Sequence, residues 1–322
     1  MDYKIIGKTG VKVSELCMGT MSFGDIADKE TSRKMFKRCR EAGINFFDTA
    51  DLYSNGRAEE ILGECIAGCR EDIVLTSKVY NPTRDDINAR GLSRRHIIQA
   101  VENSLNRLGT DYIEFYFCHQ FDSRTAIVET LRALDHLVKQ GKILYPAASN
   151  WAAWQIEKAL GISRQKNLAR FECIQPMYNL VKRQAEVEIL PMAQKENLGV
   201  ITYSPLGAGL LTGKYDDDKP RQGRIIDNNM YTNRYSKEEY FDIAQKFTEH
   251  ARQQGVNPVA LAVAWVKFHP GVTAPIIGAR NVEQLEDSLA AVDINMTEKW
   301  WQEISDLSFT PPPATDRLEE IK

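Results

Sequence analysis

The chain has 322 residues, 43% of them hydrophobic and 26% charged, with a formal net charge of -3. That length buries a large core, and the near-neutral balance excludes a generally basic nucleic-acid surface, so a small molecule is the expected partner. No apolar run approaches the ~20 residues a membrane helix needs and the amino terminus has no apolar signal core, so no membrane insertion and a cytoplasmic location are expected.

The chain opens with two short extended pieces over residues 3–14 around Gly7-Lys8-Thr9-Gly10, read as a hairpin cap. An alternation of apolar runs and helical apolar stripes follows. Strands are expected at residues 15–19, 44–47, 73–77, 112–118, 143–148, 172–174, 200–203 and 274–277. The helices between and after them are expected at 29–42, 58–67, from the Ser93 cap through Leu108, and at 126–140, 152–160, 185–196, 237–254 and 282–291. Two further helices, 256–268 and 298–307, are expected to pack outside.

Eight strand-helix units without a composition shift or a Pro/Ser-rich linker fit one closed (β/α)8 TIM barrel better than two doubly wound domains. The expected barrel covers residues 1–309 and a loose tail covers 310–322, beginning at Thr310-Pro311-Pro312-Pro313.

The six cysteines, Cys17, Cys39, Cys65, Cys69, Cys118 and Cys173, are scattered without a Cys-x-x-Cys pair, so reduced, mostly buried thiols are expected and no metal site. Asn295-Met296-Thr297 matches a glycosylation triplet, a pattern common by chance.

In the barrel register Asp48 and Tyr53 follow the second strand, Lys78 ends the third and His119 ends the fourth. All four then lie on the carboxyl rim, where barrel enzymes place their chemistry. Each alone has a bland reading: a packed tyrosine, a salt bridge, a satisfied histidine. The four together define a catalytic constellation.

Two other patterns fail on spacing. Gly207-Ala208-Gly209-Leu210-Leu211-Thr212-Gly213-Lys214 follows a strand, but its third glycine is one position late for the dinucleotide fingerprint and Tyr215 breaks the phosphate loop. Asp48 and Asp51 come from one loop, a poor arrangement for a glycosidase, whose two carboxyls flank the scissile bond.

Phe47-Asp48-Thr49-Ala50-Asp51-Leu52-Tyr53, Thr76-Ser77-Lys78 and His119-Gln120-Phe121-Asp122 resemble the aldo-keto reductases. The resemblance continues through Ala148-Ser149-Asn150-Trp151, Gln175-Pro176-Met177-Tyr178-Asn179-Leu180, Tyr203-Ser204-Pro205-Leu206 and the run from Ile277 to Leu285, in order over nearly the whole chain. Gly91-Leu92-Ser93-Arg94-Arg95-His96 and Tyr178-Asn179-Leu180 are most similar to the branch holding potassium-channel β subunits and related bacterial reductases.

The resemblance implies NADP(H) as cofactor, an aldehyde or ketone as small-molecule substrate, and hydride transfer coupled to proton donation by Tyr53. Lys78 is expected to lower the phenol's pKa from about 10, Asp48 to hold Lys78, and His119 to orient the carbonyl oxygen. For the cofactor it implies contacts from Gly19, Thr20, Met21 and Asp48, with Ser149, Asn150 and Gln175 on the carboxamide and Tyr203 stacked on the ring. Ser204, Pro205, Leu206 and Gly207 are expected along the pyrophosphate, with Lys214 and Arg224 on phosphate. Gly278 is expected to contact the cofactor, Arg280 its 2′-phosphate, and Gln284, Asp287 and Ser288 the adenosine, Ser288 replacing the family's usual Asn. Pro146-Ala147-Ala148-Ser149 is a second departure, from the more usual Gly-Val-Ser. Substrate-pocket walls are expected from Phe23, Tyr80, Phe121, Trp151 and the loop 210–235. The alternative is a weakly catalytic or non-catalytic NADP-binding partner subunit like the channel β subunits. That branch carries Asn where this chain has His119, and no inactivation segment ahead of the hairpin is expected.

Overall fold

The computed structural model describes residues 1–215 and 223–320. Strands β1 (Tyr3–Ile5) and β2 (Lys12–Ser14) form an antiparallel hairpin. Eight parallel strands then close a barrel: β3 (Cys17–Gly19), β4 (Phe46–Asp48), β5 (Val74–Val79), β6 (Ile113–Cys118), β7 (Ile143–Ser149), β8 (Cys173–Gln175), β9 (Gly199–Thr202) and β10 (Ala274–Ile277), with β10 pairing back onto β3. The (β/α)8 expectation holds.

Helices α1 (Lys29–Glu41), α2 (Arg57–Ile66), α3 (Arg94–Leu108), α4 (Ile127–Lys139), α5 (Ala153–Lys166) and α6 (Ile189–Glu196) join successive strands. Between β9 and β10 lie α7 (Arg224–Asp227), α8 (Asn229–Tyr235), α9 (Glu238–Gln253) and α10 (Pro258–Phe268), and α11 (Val282–Leu289) and α12 (Glu298–Ser305) follow. The cap of α3 is the expected one, with the Ser93 hydroxyl accepting from the His96 amide.

The barrel has two apolar compartments, set by the period of two along each strand. Inward-facing Cys17, Phe46, Val74, Phe115, Phe117, Ala147, Cys173, Ile201, Ala274 and Ile276 fill the lumen, and Ile6 and Val13 of the hairpin join them. The hairpin therefore plugs the amino-terminal end. Gly199 is required there, because a Cβ at that position would lie 2.2 Å from Ile6 Cγ1. Outward-facing Met18, Phe47, Leu75, Tyr116 and Ala148 belong to the second compartment, beneath the helices.

Two helices differ from expectation. The helix expected to pack outside, α10, is enclosed: every residue from Ala260 to Val266 is buried, and it packs against β10, α9 and α11. Its sequence is apolar all round, as an enclosed helix requires, whereas α9 carries a charged face. The helix expected from residue 185 begins as α6 only at Ile189, because Pro191 is tolerated in a first turn but not deeper. Among the described residues no helix is long and apolar enough to cross a membrane.

Candidate active site

The site continues the lumen rows by one inward step. Two residues beyond lumen-facing Cys17, Phe46, Val74, Phe117, Ala147, Cys173, Ile201 and Ile276 stand Gly19, Asp48, Thr76, His119, Ser149, Gln175, Tyr203 and Gly278, with Lys78 one further inward position along β5. The apolar filling of the barrel thus gives way to a polar layer at the carboxyl ends of its strands.

Asp48 is 2% exposed and Lys78 is fully buried. The Lys78 ammonium donates to Asp48 Oδ2 at 2.6 Å, to the Thr49 carbonyl at 2.7 Å and to the Tyr53 hydroxyl at 3.2 Å. Asp48 Oδ1 accepts from Thr76 Oγ1 at 2.6 Å and Gln175 Nε2 at 2.8 Å. All three protons of the ammonium and both carboxylate oxygens are engaged. Burial opposes the Lys78 charge, but the Asp48 carboxylate and Tyr53 outweigh it, and the ammonium's pKa is raised.

Tyr53 stands on the loop after β4. Its pKa is raised above the ordinary tyrosine value because burial outweighs the Lys78 charge, which acts in the expected lowering direction, so the phenol stays protonated. His119 meets Tyr53 edge to face at 6.1 Å between ring centroids. Burial first, then the Lys78 charge, push its imidazole down to about 3, so it is neutral throughout the physiological range. Its Nδ1 is buried without a partner.

The expected carboxamide residues form one chain of hydrogen bonds. Tyr203 Oη donates to Asn150 Oδ1 at 2.7 Å, and Asn150 Nδ2 donates to the His119 carbonyl at 2.9 Å and Ser149 Oγ at 3.0 Å. Ser149 Oγ donates to the Gln175 carbonyl at 3.0 Å. Asn150 and Ser204 are held at φ 59° and 61°, left-handed conformations seldom adopted by residues with a Cβ and concentrated at functional sites. Asn179 Nδ2 braces Ser204 by donating to its carbonyl at 2.9 Å. At the opposite wall the Thr20 amide and hydroxyl donate to the Asp48 carbonyl at 2.9 and 3.1 Å, while Met21 is exposed on the rim. Gly19 is sterically required, since a Cβ there would lie 2.7 Å from Ile276 Cγ2.

Beyond this core Pro205 and Gly207 are buried and Leu206 is half-buried, entering a tight turn. Lys214, Arg224 and Arg280 converge electrostatically: burial, then the charges of Arg280 and Arg224, lower the Lys214 pKa. Lys214 and Arg280 are exposed, and Arg224 is half-buried with its guanidinium over the Tyr231 ring. The end of α11 is less convergent. Gln284 Oε1 accepts from the Arg280 amide, Asp287 Oδ1 accepts from Asn257 Nδ2, and Ser288 lies buried with its hydroxyl unpartnered. Gly278 is exposed with open space beside its Cα.

Of the expected pocket walls, Tyr80 and Phe121 are half-buried, and Phe121 meets Trp151 edge to face. Phe23 is fully buried and Trp151 is 4% exposed, so both serve the core. Residues 216–222 of the expected loop wall lie outside the described residues. Sequence reasoning missed Thr76, Thr49 and Asn179. Thr76 carried a signal, because it shares the inward face of β5 with Lys78.

The parallel barrel gathers a phenol, an ammonium, a carboxylate and a neutral imidazole at its carboxyl rim, a set of groups chemically able to give or take a proton. The profile described as "Aldo/keto reductase family" matches residues 15–308, and the chain belongs to that family, a family of oxidoreductases. It is 37% identical over 332 residues to a probable voltage-gated potassium channel subunit beta of Arabidopsis thaliana, covering 100% of this chain and 96% of the relative. It is 36% identical over 330 residues to an uncharacterized oxidoreductase, YrpG, of Bacillus subtilis (strain 168), covering 98% of each. A probable channel β subunit of Oryza sativa subsp. japonica is 36% identical, with 100% of this chain and 96% of the relative covered. Fold, site and family together make the chain an oxidoreductase of the aldo/keto reductase type.

Proposed function

We propose that the chain is an NADPH-dependent reductase that converts aldehyde or ketone carbonyls to alcohols, with Tyr53 as proton donor. The observation that carries the reading is the closed contact of Lys78 with both Asp48 and Tyr53. A carbonyl becomes an alcohol when a hydride reaches carbon and a proton reaches oxygen, and bound reduced nicotinamide supplies the hydride.

The chain's own residues handle the proton. Tyr53 is protonated at neutral pH and faces its proton toward an oxygen placed between it and His119. Once that proton is given up, the Lys78 ammonium stabilises the phenolate left behind, and Asp48 keeps the ammonium charged and oriented. His119, neutral and unprotonated at one ring nitrogen, offers a single hydrogen bond to the carbonyl oxygen and fixes its approach.

The donor set fits a nicotinamide dinucleotide phosphate. Ser149, Asn150 and Gln175 present hydroxyl and amide groups for a carboxamide, and Tyr203, tied to Asn150, offers a ring face. Lys214 and Arg224 fit phosphate, and Arg280 the 2′-phosphate, because burial and the charges of Arg280 and Arg224 disfavour the Lys214 ammonium, and an anion would relieve that repulsion. Three relatives bear the name of channel β subunits, yet the intact tetrad supports catalysis by this chain rather than a partner role alone.

A panel of aldehydes, ketones and sugars incubated with NADPH and the purified chain tests the reading. Alcohol formed one for one with NADPH consumed is the expected result. Absence of turnover across the panel, with NADPH shown to be bound, would leave the partner-subunit reading.

A further inference from the structure

The loop that carries Tyr53 turns sharply and is tied on either side of its middle, where Lys78 Nζ donates to the Thr49 carbonyl at 2.7 Å and Ser54 Oγ to the Phe23 carbonyl at 2.7 Å. After Tyr53 three consecutive residues, Ser54, Asn55 and Gly56, have φ of 50°, 54° and 90°. Its backbone ties to β5 are the Thr49 amide to the Thr76 carbonyl at 3.2 Å and the Asp51 amide to the Lys78 carbonyl at a long 3.5 Å. Between those ties the Asp51 side chain is 1% exposed. Apart from a glancing approach of the Leu52 amide, neither Asp51 oxygen has a hydrogen-bond partner.

The charged groups around it are accounted for from each packed element. Glu59 on α2 is fully buried and accepts from Ser77 Oγ of β5 at 2.5 Å and from Arg107 Nε of α3 at 2.7 Å. The one nearby guanidinium is thus committed to Glu59, and Arg107 also lies against the loop at Gly56, where a Cβ would be 2.8 Å from its Cδ. Lys78 is committed to Asp48. Tyr116 of β6 is fully buried, and its hydroxyl is unpartnered. A carboxylate at position 51 would be a buried anion beside a second anion with no cation left to pair with, which burial forbids.

We propose that Asp51 is a positioning residue held as a neutral carboxylic acid, and that loss of its proton to solvent releases the 49–56 loop and carries Tyr53 out of register with Lys78. The kinetic part of this proposal rests on Tyr53 being the proton donor; the protonation and loop-release parts do not. Burial, followed by the Glu59 charge, pushes the Asp51 carboxyl up to about 8, so the release falls just above neutrality.

The test uses the whole chain and Asp51→Asn, which keeps the shape without the proton. Difference infrared spectroscopy follows the protonated-carboxyl C=O stretch across a pH titration. Hydrogen exchange of residues 49–56 is compared between the two proteins on the alkaline side, and the kcat-pH profile is recorded for both. The expected results are a carboxylic-acid band in the wild-type chain at neutral pH that fades near pH 8 and is missing in Asp51→Asn. Loop exchange should accelerate on the alkaline side in the wild type only, and the alkaline fall in kcat should be flattened by the substitution. If Asp51→Asn does not fold, Glu59→Gln serves: removing the neighbouring anion and freeing Arg107 should move the infrared titration to lower pH. No acid band at neutral pH, an unmoved titration in Glu59→Gln, or an alkaline limb identical in Asp51→Asn overturns the proposal. If neither protein turns over any carbonyl, the spectral and exchange results decide the matter alone, and the reductase reading is what has failed.

Discussion

Two cationic regions on the same rim of this barrel are built on opposite plans. At the mouth, Lys78 is fully buried and its three protons meet Asp48, Thr49 and Tyr53, so the site is complete without any visitor. A short way along the rim, Lys214, Arg224 and Arg280 gather charge of one sign, and burial with the charges of Arg280 and Arg224 lowers the Lys214 pKa against the opposing charge of Asp227. In the proposed function the first region is preorganised for a reacting proton and the second awaits an anion. On that proposal a cation is a structural element in one place and a recognition element in the other, although the two are the same kind of residue.

Removing one cation from each region should separate these roles most sharply. Lys78→Met leaves the Asp48 carboxylate buried without its partner, which destabilises the fold by about 3–5 kcal/mol. Urea denaturation should show this as a lower midpoint, and a midpoint matching the wild type would mean that the pair is not what holds the site. Arg280→Ala, by contrast, should leave stability within about 0.5 kcal/mol, as an exposed substitution does. Its effect belongs to binding: loss of a charge-assisted hydrogen bond, worth about 1.5–3 kcal/mol, weakens NADPH roughly ten- to a hundredfold while NADH changes by only a fewfold. Fluorescence titration with each cofactor at fixed salt measures the difference, and equal weakening would move Arg280 off the 2′-phosphate.

Lys214→Ala should weaken both cofactors together and by less, because a partly screened lysine contributes about 1 kcal/mol or below. A preference for one cofactor in that variant would reassign Lys214. The effect of pH through His119 is confined to acid conditions. Its folded pKa, about 3, lies below the ordinary value of about 6.5, so the folded protein binds fewer protons than the unfolded chain between those limits. The stability it contributes is whole above about pH 6.5 and is lost as pH falls toward 3. Thermal unfolding of His119→Gln should accordingly lose less on acidification than the wild type does, and a parallel loss in both would show that the imidazole is not held neutral.

The two regions were also unequally legible. Residues that step inward every second position could be read from the alternation of β4 and β5, which puts Asp48 above Phe46 and Lys78 above Thr76 and Val74. Thr76 itself was within reach of the same reasoning. The rim cations and the cofactor contacts came from family resemblance, because loop geometry such as the left-handed Asn150 and Ser204 leaves no periodic trace. The enclosure of α10 was misjudged because an all-apolar helix has no stripe to say which face is buried. Asp51 was set aside as half of a failed glycosidase pair. Its isolation depends on Arg107 being committed to Glu59, a tertiary fact that sits outside any local pattern.

The most direct test of the account is the steady-state rate of NADPH oxidation by Tyr53→Phe with an activated aldehyde, beside its Kd for NADPH. Loss of the general acid should cost kcat at least about a hundredfold, and the affinity for NADPH should be nearly unchanged because the phenol bonds only to Lys78. Near-full activity in Tyr53→Phe would contradict the assignment of the proton donor, and with it the central claim.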